Sequence, residues 1–237
     1  MGLAHGANIV NDGLVFLVDP INPRSWTGPD SSTVNSLKGG ITGSINNDTS
    51  GSYGLNNSFD FDGTDDIIHT NTNPRTLIGN NSSYSVSIWV YYGGAMGSNY
   101  FLGSRYSSGQ FWFGIYNTKP IFSYGGVYYQ TGQDVEPLAI PGNQWSQVVF
   151  TYDASAEQHK IYINNIQSPT FTPSGGNAPQ TVIDSVNIAI GGYPSVPGIA
   201  LGQSFNGDIG PVQIYNKAIS AQEVKQNYNA LKSRFGL

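Results

Sequence analysis

The sequence predicts an all-β domain: two packed antiparallel sheets with one carboxyl-terminal α-helix. Three observations predict it. The composition is turn-rich, with 30 Gly, 13 Pro and only 11% charged residues among 237. Short β-forming runs recur between clusters of Gly, Asn, Asp, Ser and Pro, as they do in sandwiches. Helical spacing flanked by capping residues stands out once, at the end of the chain.

Taken in order, residues 14–18 are apolar throughout, which suits a strand buried on both faces. Residues 58–62 alternate, with Phe59 and Phe61 on one side. Residues 84–90 alternate as well: Tyr84, Val86, Ile88 and Val90 face one way, and Ser85, Ser87 and Trp89 the other. Further strands are expected at 100–102, 110–116, 120–124, 127–129, 145–152, 160–163, 186–190 and 212–215. Residues 27–54 are rich in Gly, Ser, Asn and Asp and read as a long irregular excursion. Residues 1–13 read as an amino-terminal arm, and 14–237 as one domain that includes a helix over about 220–235.

The helix is announced by Ser220-Ala-Gln-Glu223, in which the Ser oxygen accepts from a first-turn amide and the Glu reaches back. Ile219 and Val224 sit where a hydrophobic staple would close. Val224, Tyr228, Leu231 and Phe235 keep one face apolar. Lys232 and Arg234 suit the negative end of the helix dipole, and Gly236 can end the helix.

Composition excludes several functions. The net charge is −5 and the 10 basic residues are scattered, so no stretch can neutralise a run of phosphates, and no nucleic-acid partner is expected. There is no Cys, which excludes thiolate metal sites and thiol catalysis. No apolar run approaches the roughly 20 residues that span a bilayer, so no membrane insertion is expected. The stretch from Met1 to Ala7 has neither the basic region nor the apolar core of a secretory signal, which argues against signal-peptide export if residue 1 is the natural start.

Four phrases, in order along the chain, resemble the laminin-G-like jelly-roll family of the concanavalin A-like lectin and glucanase superfamily. They are Phe59-Asp-Phe-Asp-Gly-Thr-Asp-Asp-Ile67 and Tyr84-Ser-Val-Ser-Ile-Trp-Val90, then Gln144-Trp-Ser-Gln-Val-Val-Phe-Thr-Tyr-Asp153 with Lys160-Ile-Tyr-Ile-Asn-Asn165. Last comes Ile190-Gly-Gly192 with the stretch from Phe205 to Ser220. The resemblance covers about residues 14–235 and implies a jelly-roll sandwich. Residues 13–26 and 227–237 are similar to this family's members in tailed-phage virion proteins. That similarity implies a place on a phage particle, as head decoration or appendage.

The superfamily includes glucanases, so the resemblance admits hydrolysis. Glycoside cleavage needs two carboxyl groups flanking the bond, and in glucanases of this fold they are glutamates two strand positions apart. This chain has three glutamates, Glu136, Glu157 and Glu223, none near another. Asp60 and Asp62 share a face but read as solvated turn residues. His5, His69 and His159 are isolated, and neither a nucleophile elbow nor a phosphate loop occurs. No catalytic residue is expected.

Family relatives often bind calcium, and Asp62, Asp65 and Asp66 with Asp208 are the candidate ligands. Turn chemistry at Asp62-Gly63-Thr64-Asp65 is the preferred reading, so no metal site is expected and no cofactor is required. Sugar binding would need outward aromatic faces. Tyr106, Trp112, Tyr116, Tyr128 and Tyr129, in the middle strands and their loops, are the candidates for a carbohydrate or protein partner. Phe111, Phe113 and Ile115 alternate against Trp112 and Tyr116, so one set is core and the other faces out. Trp89 and Trp145 are expected in the core.

The expected function is a non-enzymatic virion surface protein on a phage particle. Its partners would be other virion proteins, met through the amino-terminal arm or the carboxyl-terminal helix. The alternative is a carbohydrate-binding lectin for host or environmental glycans, secreted or at a cell surface. A glycoside hydrolase ranks third.

Overall fold

The computed structural model describes residues 8–28, 30–46, 58–93, 97–104, 110–129, 138–171, 173–174, 176, 186–194, 201–202 and 204–237. Strands come in this order. The first group is β1 (Leu14–Val18), β2 (Thr33–Asn35), β3 (Thr42–Asn46), β4 (Phe59–Asp62) and β5 (Ile67–Thr70). After the short helix α1 (Pro74–Ile78) come β6 (Tyr84–Tyr92), β7 (Ser98–Ser104), β8 (Phe111–Tyr116), β9 (Lys119–Tyr124) and β10 (Val127–Tyr129). Then follow β11 (Trp145–Asp153), β12 (Gln158–Ile163), β13 (Ile166–Gln167), β14 (Ala189–Ile190), β15 (Tyr193–Pro194), β16 (Leu201–Gly202) and β17 (Asn206–Tyr215). Helix α2 (Ala221–Leu231) and a 3-10 turn (Lys232–Phe235) end the chain.

These strands make two large antiparallel sheets. The first runs β1-β17-β6-β11-β12-β13, with β4 also on β17, and the second runs β10-β9-β8-β7-β14-β5-β3-β2. The core lies between them and includes Phe16, Phe61, Val86, Ile88, Phe113 and Ile190. The alternation of 84–90 is as expected: Tyr84, Val86, Ile88 and Val90 point into this core, while Ser85, Ser87 and Trp89 point away from it. Phe111, Phe113 and Ile115 are likewise the inward set of β8.

Part of the outer face of the first sheet is covered. Helix α2 lies over it, and the expected caps are in place. Ser220 Oγ accepts from Glu223 N, and Glu223 reaches back to Ser220 N at 2.8 Å. Ile219 and Val224 are both buried in the cluster that joins the helix to Leu14, Leu17, Val149 and Tyr215. The regular helix stops at Leu231, and the tighter turn after it ends at Gly236 in the left-handed region (φ 74°).

Two expectations are corrected. The first concerns the amino-terminal arm: residues 8–13 are fastened to the helix, and residues 1–7 lie outside the described residues. Val10 is 6% exposed, its amide donates to Asn227 Oδ1 at 2.8 Å, and its carbonyl accepts from the Tyr215 hydroxyl. Asn8 O accepts from Gln226, and Asp12 pairs with Lys217. The second concerns 27–54. It holds the strands β2 and β3, whose alternate residues are exposed, so Val34 is the one apolar anchor of β2. Residues 47–57 lie outside the described residues.

One glycine shows how closely the two sheets meet. Gly191 follows β14 with φ +88°, and a Cβ there would stand 2.0 Å from the ring of core residue Phe61. Gly191→Ala therefore has both a strained backbone and no room. The expected loss is about 2–4 kcal/mol in urea denaturation of the whole chain. An unchanged midpoint would mean that Phe61 does not pack against this turn.

Candidate functional site

The second sheet carries the aromatic residues singled out from the sequence. Register across all eight strands puts Thr33, Ser44, His69, Ala189, Gly103, Trp112, Ser123 and Tyr128 in one row on its outer face. Trp112 faces outward as alternation requires, but only 4% of it is exposed. Its indole N–H donates to Gln110 Oε1 at 2.7 Å, and the Tyr100 ring stands edge-on at 5.0 Å. Tyr193 on β15 packs over the same spot, and Gly103 lacks a side chain because a Cβ would lie 2.7 Å from that of Tyr193.

Tyr129 points the other way. It is fully buried between the sheets against Phe171 and Phe122. Tyr116 and Tyr128 are the exposed pair, but Tyr116 stands opposite Lys119 and Tyr128 opposite Ser123. Four strand positions separate those two rows, about 13 Å. Tyr106 lies outside the described residues. Trp112 and Tyr129 are thus buried, and the two exposed tyrosines do not share one platform.

A tighter arrangement stands on the first sheet. Asp60 on β4 is paired with Asp208 on β17, Asp208 with Tyr91 on β6, and Tyr91 with Trp145 on β11. Partners in antiparallel register share a face, so these four side chains form one row on the outer surface, about 14 Å long. All four are partly exposed. Trp145 was expected in the core, and so is corrected here. It leads β11 beyond the reach of β12, whose pairing begins only at Val148.

The row is held from behind. Phe235 lies 4.4 Å from the Trp145 ring and 4.5 Å from Trp89, and Tyr228 stacks on Trp89 at 5.7 Å. The Tyr91 and Trp145 rings are 5.9 Å apart. At the other end the Ser58 hydroxyl donates to Asp208 Oδ1 at 2.7 Å. Burial pushes the Asp208 carboxyl above the usual range, with Ser58 pulling the other way. Burial also raises Asp60, and the neighbouring charges of Asp208, Asp66 and Asp62 raise it further. Two aromatic faces beside two acceptor-rich carboxylates can stack on sugar C–H groups and receive hydroxyl hydrogen bonds. The sequence signal for this row was weak because Asp60 and Asp208 are far apart in the chain and meet only through register.

The proposed calcium ligands divide. Carboxylate oxygens of Asp62, Asp65 and Asp66 lie within 4.8 Å of one another, and Asp208 is not among them. Asp62 Oδ1 accepts from Thr64 N at 2.7 Å and Asp66 Oδ2 from Asp62 N at 2.9 Å. Those carboxylates close their own turn around Gly63 (φ +83°), so Asp62 and Asp66 each have an oxygen already engaged.

A family model described as the concanavalin A-like lectin/glucanases superfamily, Laminin_G_3, matches residues 62–225. No curated protein sequence matches the chain significantly. Among solved structures, Trypanosoma rangeli sialidase in complex with the inhibitor DANA superposes with a TM-score of 0.63 at 16% identity, over 99% of this chain and 35% of that one. A mutant of HCR/D superposes at 0.63 with 15% identity, over 92% of this chain and 52% of that one. A receptor binding domain gives 0.55 and 16%, over 94% and 52%. This chain spans about a third of the sialidase and about half of the other two. At such identities the likeness is one of fold.

The acidic pair makes a pH prediction. Its raised pKa values mean that the folded state holds protons more tightly than the unfolded chain. The pair therefore lowers stability as pH rises from the ordinary 3.8 through the raised values, and below 3.8 the penalty is absent. Asp60→Asn is expected to raise Tm at pH 7, with the gap to the parent closing as pH approaches 3.8. A gap independent of pH would show that the carboxyl is not strained by its surroundings.

Proposed function

Because this chain belongs to the Laminin_G_3 family of the concanavalin A-like lectin/glucanase superfamily, we propose that it is a non-enzymatic glycan-binding module displayed on a phage particle. The observation that carries the binding half of this reading is the row Asp60, Asp208, Tyr91 and Trp145. A pyranose stacked on Tyr91, with the Trp145 ring inclined at 60° beside it, would offer its hydroxyls to the two carboxylates. Hydroxyls are matched because an ionised carboxylate only accepts.

Catalysis is not part of the proposal. The paired glutamates two strand positions apart that glucanases of this fold use have no counterpart among Glu136, Glu157 and Glu223. No metal or cofactor is required, since the ring faces and carboxylates supply the contacts themselves. The particle half of the reading rests on residues 13–26 and 227–237, which resemble phage virion proteins. The fold joins these two stretches: Arg234 Nη1 donates to Asp19 Oδ2 at 2.8 Å. Other virion proteins would dock on the polar outer side of α2, where Gln222, Lys225 and Asn229 are exposed, or on residues preceding Asn8.

A glycan array probed with the full chain tests the binding half. Binders are expected, with Trp145→Ala weakening them about tenfold or more and EDTA leaving them unchanged. An empty array, or binding indifferent to Trp145→Ala, overturns the site. A panel of β-glucans should stay uncleaved. Mass spectrometry of purified particles tests the display half: recovery at many copies fits head decoration, and absence leaves a free secreted or cell-surface lectin.

A further inference from the structure

On the same strand β17, beyond the aromatic row, lies a cavity of about 610 Å³. Its walls come from the amino-terminal segment (Asn8), the turn after β1 (Asn22, Arg24) and the end of the terminal helix (Leu231, Arg234), and Gln213 forms its floor. We infer that this cavity is a binding site for a carboxylate-bearing sugar. It uses none of the four residues of the aromatic row and does not rest on that reading.

Gln213 is the first reason. Its neighbours Val212 and Ile214 enter the core, and Gln213 faces outward between Leu17 on β1 and Ser87 on β6. It is 1% exposed, and neither its amide nitrogen nor its amide oxygen has a hydrogen-bond partner. Two unpaired polar atoms at a covered site destabilise the fold, and an apolar residue of similar size would avoid that. A polar occupant of the cavity that the covered Gln213 amide turns to meet removes the penalty. The space is many times the roughly 30 Å³ of one water and falls among small-molecule sites.

The walls state the chemistry of the occupant. Asp19, 8% exposed, holds Arg234 by a 2.8 Å bond to Nη1, which leaves most of that guanidinium's donors for a ligand. Arg24, in the turn after β1, has no ion-pair partner among the described residues and also lines the cavity. Two guanidiniums around one bowl select a carboxylate, which they bind bidentately. Asn8, Asn22 and Gln213 each both donate and accept, as ring hydroxyls do. Leu17, Leu37 and Pro211 give an apolar wall for the C–H side of a ring. Inorganic anions are too small to reach wall and floor together, and an acidic peptide would want an extended groove rather than a bowl.

The test is amide NMR of the full chain titrated with methyl glucuronide, with methyl glucoside and sodium acetate as controls. Methyl glucuronide is expected to shift the signals of Gln213, Arg24 and Arg234 at least tenfold more tightly than methyl glucoside. Arg24→Gln should weaken it at least tenfold. Gln213→Leu should abolish it while raising Tm, which shows that the variant folds. Trp145→Ala should leave it unchanged, so that failure here and failure of the aromatic row are separable. No shift at about 10 mM methyl glucuronide, equal shifts with acetate, or indifference to Gln213→Leu overturns the inference. So does a response confined to an acidic peptide.

Discussion

Strand β17 changes neighbours at Gly210–Pro211, and the outer surface of the first sheet depends on that change. Its first half, Asn206 to Ile209, pairs with β4, and its second half, Val212 to Tyr215, pairs with β1. The register against β6 shifts between Ile209 and Val212, as a bulge requires. Pro211 has no amide hydrogen, so it suits the point where one ladder stops and another starts. Gly210 is open for a different reason: a Cβ there would stand 3.0 Å from Phe235 and 3.1 Å from Trp89 Cβ. The bare backbone lets the terminal 3-10 turn come down onto Trp89 and brace Trp145. On one side of the bulge the sheet face stays open, and on the other it is roofed.

The roof itself is a joint product of both ends of the chain. Asn227 is fully buried yet satisfied, accepting from Val10 N at 2.8 Å and donating to the Tyr215 hydroxyl at 2.9 Å. Tyr215 in turn donates to Val10 O, closing a circuit between β17, the helix and the amino-terminal segment. Ser85 does the same work at the helix entrance, donating to Lys217 O and accepting from Ile219 N. Ser85 and Asn227 are paired by the chain's own termini, and Gln213, two residues before Tyr215, is not. Trp89 Nε1 and Gln147 Oε1 in the same layer also lack partners, but Gln213 alone in this layer, among the described residues, has both side-chain polar atoms unpaired.

Legibility in the sequence followed the range of the forces involved. Alternation along β6 and β8 sorted the residues into the two faces that the structure shows, and the cap at Ser220 and Glu223 was readable because both partners lie within four residues. The strands of 33–46 were hidden because they are short, Gly- and Ser-rich, and half exposed. Alternation separates two faces without saying what covers them. Trp112 faces outward but lies under Tyr193, more than eighty positions away, and Trp145 is partly open because β12 starts too late to cover it. Tyr129 looked like its neighbour Tyr128 in composition, yet the two point to opposite faces, one into the core and one to solvent. Asp60 read as a solvated turn residue because its partner Asp208 is set by long-range register alone.

Charge explains how one strand could serve two different sugars. Around the first half of β17, the charges of Asp208, Asp66 and Asp62 stand close enough to raise Asp60, in a chain whose net charge is already −5. An anionic ligand brought there meets like charge in a partly desolvated place, where repulsion is least screened. Around the second half, Arg24 and Arg234 are two of only 10 basic residues, and the one carboxylate present, Asp19, is engaged by Arg234. A neutral sugar gains little from two guanidiniums, and an acidic one loses at the carboxylate row. Discrimination of this kind comes from the unfavourable site as much as from the favourable one. The bulge at Gly210–Pro211 keeps the two environments apart while holding both on a single rigid strand.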